Sequence, residues 1–371
     1  GFKLLQALCT KENWDQDYLL SWLDLLAISI CADIVPITGE NRILAYHGID
    51  TLHQVPRLGF VHLLGAEWFE RKPSVTDIVF SIAPKINAAG RMDHAFTAVD
   101  LLLTTDATKA KGFAEQINQF NLERREVDKT TTEEALSQIR AGKHLSKSKS
   151  TVVYQDNWHK GVVGIVASRL IEQHYKPTIV LTKSEDKIAG SARSIEGFDI
   201  HDAIGKCADL LEQYGGHTHA AGLTLKEENL KAFGQRFEQI VSEASHALEN
   251  KAQLNIDAEV SLEDLTHKTY RILKQMEPFG PYCPEPVFVA RKVYDTGWVK
   301  KVGATEDHLK FKVYQKLNPN ITLDAIAFNL AQHFELLAEG NPVDIAFHLD
   351  MNYWRREEKL QLMVKDIKPS T

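Results

Sequence analysis

The spacing of hydrophobic and polar positions changes several times along the chain, and each spacing predicts a different kind of structure. From Thr151 onward, short apolar runs alternate with amphipathic segments, which is typical of strands that alternate with helices. We therefore expect an α/β domain of ordinary size in this region. Its predicted strands lie at 151–154, 177–181 and 187–192, and its predicted helices at 161–174, about 200–213 and 226–248.

Different patterns stand on either side of this domain. Residues 105–141 are polar, lack proline and carry few apolar positions on a narrow stripe, which predicts one long connecting helix or two in series. After residue 253 the apolar runs become short and strand-like, and such a series predicts a small β-barrel of the OB type. These runs cover 287–293, 309–315, 322–328, 343–348 and 360–367.

Composition excludes several classes of protein. Hydrophobic residues make up 44% and charged residues 25% of the 371 positions, as in ordinary globular proteins. The four cysteines form no C-x-x-C pair, so neither a structural zinc site nor a disulfide framework is indicated. No stretch of about 18 apolar residues is present. We therefore predict a multidomain α/β protein that is cytoplasmic and has no membrane partner.

The charge is unevenly distributed. A formal net charge of −7 argues against a protein that coats nucleic acid through its overall charge. Residues 290–316, however, carry seven basic side chains against three acidic ones, a local net charge of +4. This segment is either an ordinary solvated surface or a basic face for nucleic acid. The aromatic residues of the predicted barrel that could stack bases, or instead fill its core, are Trp298, Phe311, Tyr314, Tyr353 and Trp354.

The segment Tyr214–Thr224 has the composition of a binding site. Gly215 and Gly216 have no Cβ, so the backbone can reach positive φ and a phosphate can approach its N–H groups. On a strand, His217 and His219 would point to one face, where they could bind a phosphate or a metal. The alternative is a glycine turn with two partly exposed histidines.

Two upstream segments supply groups that suit the same purpose. Gly190–Ser194 places the hydroxyl of Ser191 and the guanidinium of Arg193 beside a glycine, and arginine is suited to bidentate capture of phosphate. His159 lies in a polar, glycine-containing loop that runs into an apolar helix. Three such loops, each next to a buried element, predict one cleft for phosphate groups.

Together these segments resemble the DHHA1 domain of the DHH phosphoesterase superfamily, and in particular the RecJ-type exonucleases that act on single-stranded DNA. The resemblance extends from Asp24 to the end of the chain. It includes an Asn-Ala-Ala-Gly-Arg segment within residues 82–92, which we expect to form a loop between apolar elements. It also includes a proline-rich turn at 277–286, in which Cys283 stands where asparagine is usual.

The resemblance implies roles for individual residues. Asp33 would be a catalytic carboxylate and metal ligand, which would explain an aspartate within an apolar run, since a buried carboxylate is costly unless it is paired or binds a cation. Otherwise Asp33 is an N-cap or turn carboxylate just ahead of Pro36. His217 would be the second catalytic residue. Substrate would be bound by Asn87, Arg91, His159, Ser191, Arg193, Gly215, Gly216 and His219. For Asn87 and Arg91 the alternative is a turn cap and a solvated cation.

The sequence lacks the Asp-His-His triplet that the family places further upstream. We therefore expect a C-terminal fragment with four parts: the remainder of a DHH domain (1–104), a connecting helix (105–145), a DHHA1 domain (146–252) and an OB-type domain (253–371). The resemblance implies that the full-length parent is a 5′-to-3′ exonuclease of recombination and repair. It would use two Mn²⁺ or Mg²⁺ ions, which one aspartate cannot hold. The expected partners are single-stranded DNA and other repair proteins, and we expect the fragment to bind DNA with impaired catalysis.

Two other functions stay open at this stage. A DHH-type phosphodiesterase of short oligonucleotides or cyclic dinucleotides would share the Gly-Gly-His chemistry, but so small a substrate leaves the long C-terminal barrel unexplained. A non-catalytic module that only binds single strands would need the barrel and no metal site. A likeness to the tRNA-binding part of alanyl-tRNA synthetases is weaker still.

Overall fold

The secondary structure follows the hydrophobic spacing along most of the chain. The structure, a computed structural model, describes residues 1–92, 94–142, 148–244, 253–354 and 357–370. Its helices are α1 (Phe2–Glu12), α2 (Gln16–Leu20), α3 (Leu23–Ala32), α4 (Gly39–Gln54), α5 (Leu58–Leu64), α6 (Val75–Asp77), α7 (Ala83–Met92), α8 (Phe96–Leu103), α9 (Ala107–Ala141), α10 (Val163–Gln173), α11 (Ile200–Gly205), α12 (Leu230–Ala244), α13 (His267–Lys274) and α14 (Phe334–Ala338).

The strands fall into two sheets. The first contains β1 (Thr151–Gln155), β2 (Thr178–Ser184), β3 (Lys187–Arg193), β4 (Gln213–His217) and β5 (Ala220–Leu225). The second contains β6 (Ala258–Glu259), β7 (Phe288–Asp295), β8 (Lys300–Val302), β9 (His308–Gln315), β10 (Asn318–Ala327), β11 (Val343–Trp354) and β12 (Glu357–Pro369). All the strand-like runs predicted from the sequence form strands. The prediction of a helix at 200–213 is too long, because α11 ends at Gly205 and only a 3₁₀ turn follows at Ala208–Leu210.

Residues 56–70 and 80–252 form one unit, built on the first sheet and on helix α9. The sheet order is β1-β2-β3-β5-β4, in which β1 and β2 are parallel and the other pairs are antiparallel. Successive side chains of β2 point to opposite faces. Val180 packs with α10 residues on one face, while Ile179 and Leu181 pack with Phe233 and Phe237 on the other. Helices therefore cover both faces, as expected for an α/β domain.

Helix α9 is a single helix of 35 residues, which settles the choice between one helix and two in series. Its first N–H groups are capped by the side chain of Asp106, which accepts from Thr108 and Lys109. The first half buries Ala114 and Ile117 against apolar side chains of α5, α7 and α8. None of the described helices is both long and apolar enough to cross a membrane.

Residues 1–55, 71–79 and 253–371 form the other unit, which contains the second sheet. Strand β7 pairs with β11, β11 with β12, β12 with β10 in parallel, and β10 with β9. A further pairing between β7 and β9 closes these five strands into a barrel. In chain order, the five barrel strands are β7, β9, β10, β11 and β12. The third and fifth of them are parallel neighbours, and the first and second pair to close the barrel. This arrangement is that of an OB-type fold. The domain boundaries proposed from the sequence stay predictions, and those at 145 and 252 fall on residues outside the described ranges.

The barrel corrects part of the aromatic prediction. Phe311 is fully buried in the barrel core together with Phe347, so it is not available to stack on a base. Trp298 and Tyr353 are 46% and 59% exposed, and Tyr314 is half-buried. The side chain of Trp354 lies outside the described part of the chain. The residues of β9 alternate between the core and the outer face, and Phe311 occupies an inward position of that alternation.

The turn at 277–286 packs within the same unit as the N-terminal helices. Gly280 and Cys283 exchange backbone hydrogen bonds of 2.9 and 3.0 Å, which closes the turn. Arg42 of α4 donates to Sγ of Cys283 and to the carbonyl oxygens of Pro278 and Met276. A Cβ on Gly280 would lie 2.5 Å from Cγ1 of Ile37, so this position requires glycine. Cys283 therefore takes part in anchoring the turn.

A buried carboxylate stabilises the barrel. Asp344 of β11 is 3% exposed and accepts hydrogen bonds from Nη1 of Arg291 at 2.9 Å and from the N–H of Lys292 at 3.1 Å. Burial by itself would raise the pKa of this carboxyl, but hydrogen bonds from Ser370, Lys292 and Arg291 outweigh it. The pKa of Asp344 consequently lies below its ordinary value.

We expect Asp344→Asn to lower the free energy of unfolding by about 1–3 kcal/mol at neutral pH, because the donors keep only a neutral acceptor. A lowered pKa gives stability that is present above the unfolded-state pKa and is lost as the pH falls through the folded-state value. The difference between wild type and variant should therefore shrink below about pH 4. Urea unfolding at pH 7 and pH 3 measures this difference in unfolding free energy. The control is Asp366→Asn, a substitution of an exposed aspartate. A difference that does not change with pH would contradict the assigned ionisation.

Candidate phosphate-binding site

Three strands of the first sheet place small residues side by side on one face. Ser191 of β3 lies opposite Gly222 of β5, and Gly222 lies opposite Gly215 of β4. Cross-strand partners share a face, so the hydroxyl of Ser191 stands next to two positions that have no side chain. A cavity of about 380 Å³ lies here, with Lys160 and Tyr214 among its lining residues.

The next row on the same face carries the charged groups. Arg193 of β3 and His217 of β4 both pair with Ala220 of β5, which lies between them. Arg193 follows Ser191 by two residues in β3, and His217 follows Gly215 by two residues in β4. Residues two apart in a strand point to the same face. The sheet therefore brings together four of the residues singled out from the sequence. Ser191 lies in the strand predicted at 187–192, and that strand extends one residue further, so Arg193 lies at its end and not in a loop.

The first turn of helix α10 faces this part of the sheet. A Cβ built on Gly164, the second residue of α10, would lie 3.0 Å from Nη2 of Arg193 and 3.3 Å from Oγ of Ser191. The first N–H groups of a helix have no intrahelical partner, and the helix dipole favours negative charge at that end. Glycine at position 164 thus lets a serine, an arginine and a helix N-terminus meet, an arrangement that suits an anion.

Arg91 adds a second guanidinium. It lies at the end of α7 and donates from Nη1 to the carbonyl oxygen of Gly161 at 2.8 Å. Arg91 contacts Gly161 and Arg193 lies beside Gly164, so both guanidinium groups lie at the start of α10. Burial, and then the charge of Arg91, lower the pKa of Arg193. Neither guanidinium makes an ion pair with a carboxylate of the described residues. Arg193 donates to the carbonyl oxygen of Ala192. Two neighbouring unpaired cations repel, and a bound anion would relieve that repulsion.

Helix α7 corrects the prediction of a loop at 82–92. The residues Ala83–Met92 are helical, and they are preceded by a π-helical turn at Ile78–Ile82. Asn87 and Arg91 are four residues apart and therefore lie on the same helical face. Asn87 is exposed, and as a residue in mid-helix it does not cap a turn.

The loop before α10 is held by specific hydrogen bonds. Nδ1 of His159 accepts from the N–H of Gly161 at 3.1 Å. The buried Trp158 donates from Nε1 to Glu134 at 2.7 Å, and its carbonyl oxygen accepts from Oγ1 of Thr182 at 2.6 Å. His159 itself is exposed. The predicted loop is therefore confirmed, and its shape is fixed by contacts with α9 and β2.

The Gly-Gly-His segment forms a β-hairpin, which the sequence did not predict. His217 ends β4, while His219 lies in the two-residue turn that precedes β5. The expectation that both histidines belong to one strand is thus wrong. Their rings are nevertheless neighbours, with centroids 6.2 Å apart, and Nδ1 of His217 accepts from the N–H of His219 at 3.3 Å. Both side chains are exposed.

The two glycines of the hairpin differ in what they permit. Gly216 has a φ of +151°, and a Cβ there would lie 2.3 Å from the carbonyl oxygen of Ala220 and 2.5 Å from Cα of Ala221. A Cβ on Gly215 would meet nothing within 4 Å. Gly216 is therefore required by the hairpin itself, whereas Gly215 leaves open the floor of the cavity beside Ser191.

Helix α9 contributes to a buried ionic cluster that the sequence did not predict. Asp128 is fully buried, and its Oδ2 lies 2.7 Å from Nη2 of Arg169 and 3.7 Å from Nη1 of Arg124. The available signal was the spacing of Arg124 and Asp128, four residues apart in a helix. The same spacing is common on solvated helix surfaces, so it did not by itself indicate burial.

Asp33 does not lie in the environment that the sequence suggested. It is an exposed residue at the C-terminal cap of α3, and its N–H donates to the carbonyl oxygen of Ser29 at 3.1 Å. The buried aspartate of this apolar run is Asp24. Across the described ranges, no three His, Cys, Asp or Glu side chains lie close enough together to hold a metal ion. The residues described here do not fit a two-metal site.

Comparison with known proteins agrees with this geometry. Residues 147–243 match the family model of the DHHA1 domain, and residues 256–366 match that of the RecJ OB domain. The chain is 34% identical over 348 residues to the single-stranded-DNA-specific exonuclease RecJ of Bacillus subtilis, an alignment that covers 93% of this chain and 43% of the relative. The corresponding protein of Escherichia coli is 32% identical, with 95% of this chain and 62% of the relative covered.

The solved structures give the same result. The crystal structure of RecJ from Thermus thermophilus in complex with Mn²⁺ superimposes with a TM-score of 0.82 at 26% identity, over 100% of this chain and 52% of that protein. A Mg²⁺ complex of RecJ from the same organism gives 0.81. The chain therefore combines a DHHA1 domain with an OB domain of the kind found in a family of single-strand exonucleases. It belongs to the RecJ family, and it spans about half the length of the relatives that it matches.

Proposed function

We propose that this chain binds single-stranded DNA as part of a RecJ-type exonuclease that hydrolyses the strand from its 5′ end. The observation that carries the proposal is the proximity of Ser191, Arg193 and the N-terminus of α10, with Arg91 beside them. A terminal phosphate has the charge and the acceptor oxygens that these donors require. The cavity over Gly215 and Gly222 leaves room beside the phosphate for the adjoining sugar.

The remaining residues of the hairpin and of the α10 loop would complete the binding site. His217 lies in the same row as Arg193 and is exposed, so it can donate to a phosphate oxygen. His219 adds a second imidazole at the hairpin turn, and His159 holds the loop that accepts from Arg91. Donors of this kind stabilise the negative charge that develops on a phosphodiester during hydrolysis. In the proposal Asn87 orients the strand along α7.

The hydrolytic step needs groups beyond those described. The structures of Thermus relatives contain Mn²⁺ or Mg²⁺, and a pair of such ions generates a hydroxide nucleophile at neutral pH. Asp33 offers one exposed carboxylate, which could contribute to such a site but could not form it alone. We therefore propose that these 371 residues bind the strand and cleave it poorly by themselves.

The OB barrel presents a second surface suited to DNA. Lys300 of β8 lies directly opposite Lys310 of β9, and like charges in that position destabilise a sheet unless an anion is bound. Nζ of Lys300 lies 4.2 Å from the ring centroid of the half-exposed Trp298. A cation beside an exposed aromatic ring on the outer face of a barrel favours contact with a phosphate and its base.

Binding of a 5′-phosphorylated oligo-dT, measured by fluorescence anisotropy, tests the proposal. A 5′-hydroxyl strand and a duplex serve as controls, and a gel assay with Mn²⁺ follows cleavage. Tighter binding of the phosphorylated single strand is the expected result. Equal, weak binding of all three would instead favour a phosphodiesterase of short oligonucleotides or cyclic dinucleotides. Tight binding of single strands without regard to the 5′ end would favour a non-catalytic single-strand-binding module.

Substitutions in the barrel should change affinity and its dependence on salt. We expect Lys310→Gln to weaken binding of long single strands and to reduce the salt slope by about 0.7, the contribution of one phosphate contact. Trp298→Ala should cost about 1–3 kcal/mol with a smaller change in slope, because it removes stacking. Anisotropy between about 50 and 300 mM salt measures both, since such contacts are increasingly screened over this range. The exposed Lys268→Gln on α13 is the charge-matched control, and an equal effect of that change would contradict a local binding face.

A further inference from the structure

The buried Asp128 lies outside the binding site, and none of the contacts described for that site involves it. We infer that Asp128 is a positioning residue that holds α10 against α9 through Arg169, and so keeps the N-terminus of α10 at Ser191 and Arg193. The inference rests on the proposed binding of a 5′-phosphate at that N-terminus. It concerns a residue that does not itself contact the phosphate.

Asp128 lies where three helices meet. It belongs to α9, its closest cation Arg169 belongs to α10, and Arg91 of α7 lies near enough to influence it electrostatically. Arg124, one turn earlier on α9, is nearly buried and lies 3.7 Å from the same Oδ2. The carboxylate is thus surrounded by guanidinium groups from three separate elements of one unit.

This cluster is poorly explained as a device for stability alone. Burial raises the pKa of Asp128, and the charges of Arg169, Arg124 and Arg91 act in the opposite direction. Arg169 forms an ion pair with Oδ2 of Asp128 at 2.7 Å, and neither carboxylate oxygen of Asp128 has a hydrogen-bond partner among the described groups. Nε of Arg124 also lacks one. A buried ion pair typically adds little net stability relative to apolar side chains of the same size, so stability alone does not account for the cluster.

The geometry connects the cluster to the binding site through one rigid element. Arg169 and Gly164 belong to the same helix, five residues apart, which corresponds to a rise of roughly 7.5 Å. Gly164 is the residue whose Cβ would lie 3.0 Å from Arg193 and 3.3 Å from Ser191. A shift of α10 on α9 would therefore change the spacing between the helix N-terminus and both donors. The ion pair of Asp128 and Arg169 restrains that shift.

The direction in which Asp128→Asn changes the affinity for the 5′-phosphate distinguishes a positioning role from a direct effect of its charge. Asp128→Asn removes a negative charge from a region rich in arginine and keeps the size of the side chain. If only the electrostatic field mattered, the variant would bind an anion more tightly. If Asp128 positions α10, the variant binds the 5′-phosphate more weakly despite the more positive field.

The test measures the ratio of affinities for 5′-phosphorylated and 5′-hydroxyl oligo-dT, because a general loss of structure would lower both. We expect Asp128→Asn to reduce this ratio by about tenfold, equivalent to about 1.4 kcal/mol. The control Glu133→Gln removes an exposed negative charge from the same helix and should leave the ratio unchanged. Circular dichroism and thermal unfolding establish that each variant is folded.

A second variant covers the case in which Asp128→Asn does not fold. The double variant Asp128→Asn/Arg169→Met removes both charges of the ion pair, so the net charge near the anion site is unchanged while the restraint on α10 is lost. It also avoids leaving a buried charge without its partner, and it should lower the ratio to a similar extent. A ratio equal to or above that of the wild type in the folded variants overturns the inference. If the wild-type chain itself does not distinguish the two strands, the proposed function fails first, and the inference falls with it.

Discussion

Arg193→Gln is expected to reduce the affinity for a 5′-phosphorylated single strand by about 10- to 100-fold, because a charge-assisted hydrogen bond contributes about 1.5–3 kcal/mol. The effect should be large because Arg193 is partly buried, lies beside Ser191 and the start of α10, and has no carboxylate partner among the described residues. Titration of phosphorylated and hydroxyl oligo-dT by anisotropy measures the loss. The 5′-hydroxyl strand should lose much less.

Arg140→Gln is the matched control for the loss of one positive charge. Arg140 is exposed in the last turn of α9 and is far along that helix from Asp128. Its substitution should change both affinities only slightly, as expected for a solvated charge in physiological salt. If Arg193→Gln and Arg140→Gln had the same small effect, Arg193 would not bind the phosphate. A fully folded Arg193→Gln variant with unchanged preference would lead to the same conclusion.

The second large effect is expected from the two adjacent glycines of the hairpin. Gly216→Ala should destabilise the α/β unit by about 1–3 kcal/mol or more, because the new methyl group overlaps the backbone of β5. Gly215→Ala should leave stability nearly unchanged, since its methyl group would enter open space. Urea unfolding followed by circular dichroism distinguishes the two variants.

Binding then shows whether the open space at Gly215 is used. If the strand passes over this position, Gly215→Ala lowers affinity for the single strand in a protein of normal stability. The same substitution at Gly222, where a Cβ would be 3.9 Å from the nearest atom, provides a comparison within the same cavity. Normal affinity of the Gly215→Ala variant would mean that the substrate backbone does not approach β4. Equal stability of the Gly216→Ala variant and the wild type would contradict the hairpin geometry itself.

The elements of this protein were largely predictable from hydrophobic spacing. The five strands of the barrel and the long helix α9 appear where the sequence places them, because each buries a regular set of apolar side chains. The errors occur where the spacing is weak. The hairpin β4–β5 is rich in glycine and β4 is exposed along its whole length, so no apolar alternation marked it. Helix α7 contains glycine and proline, which favoured a loop over a helix.

The chemistry of the site was partly predictable for a different reason. Serine, arginine, histidine and glycine stand out in sequence because apolar cores do not require them, and the family resemblance gave each a role. Their common face could not be deduced, since it depends on the pairing of Ser191 with Gly222 and of Gly222 with Gly215. A shift of one residue in either pairing would have turned these groups to the opposite face.

Burial and charge pairing were decided by tertiary structure alone. Asp33 and Asp128 are both aspartates in or next to helices, yet the first is exposed and the second is fully buried among arginines. Local sequence does not determine this difference in burial, because burial depends on which helices pack against each aspartate. The sequence by itself determined most of the elements, the family resemblance and the kinds of donor available. The tertiary structure decided which donors meet, because strand register and the packing of α10 on α9 bring together residues far apart in the chain.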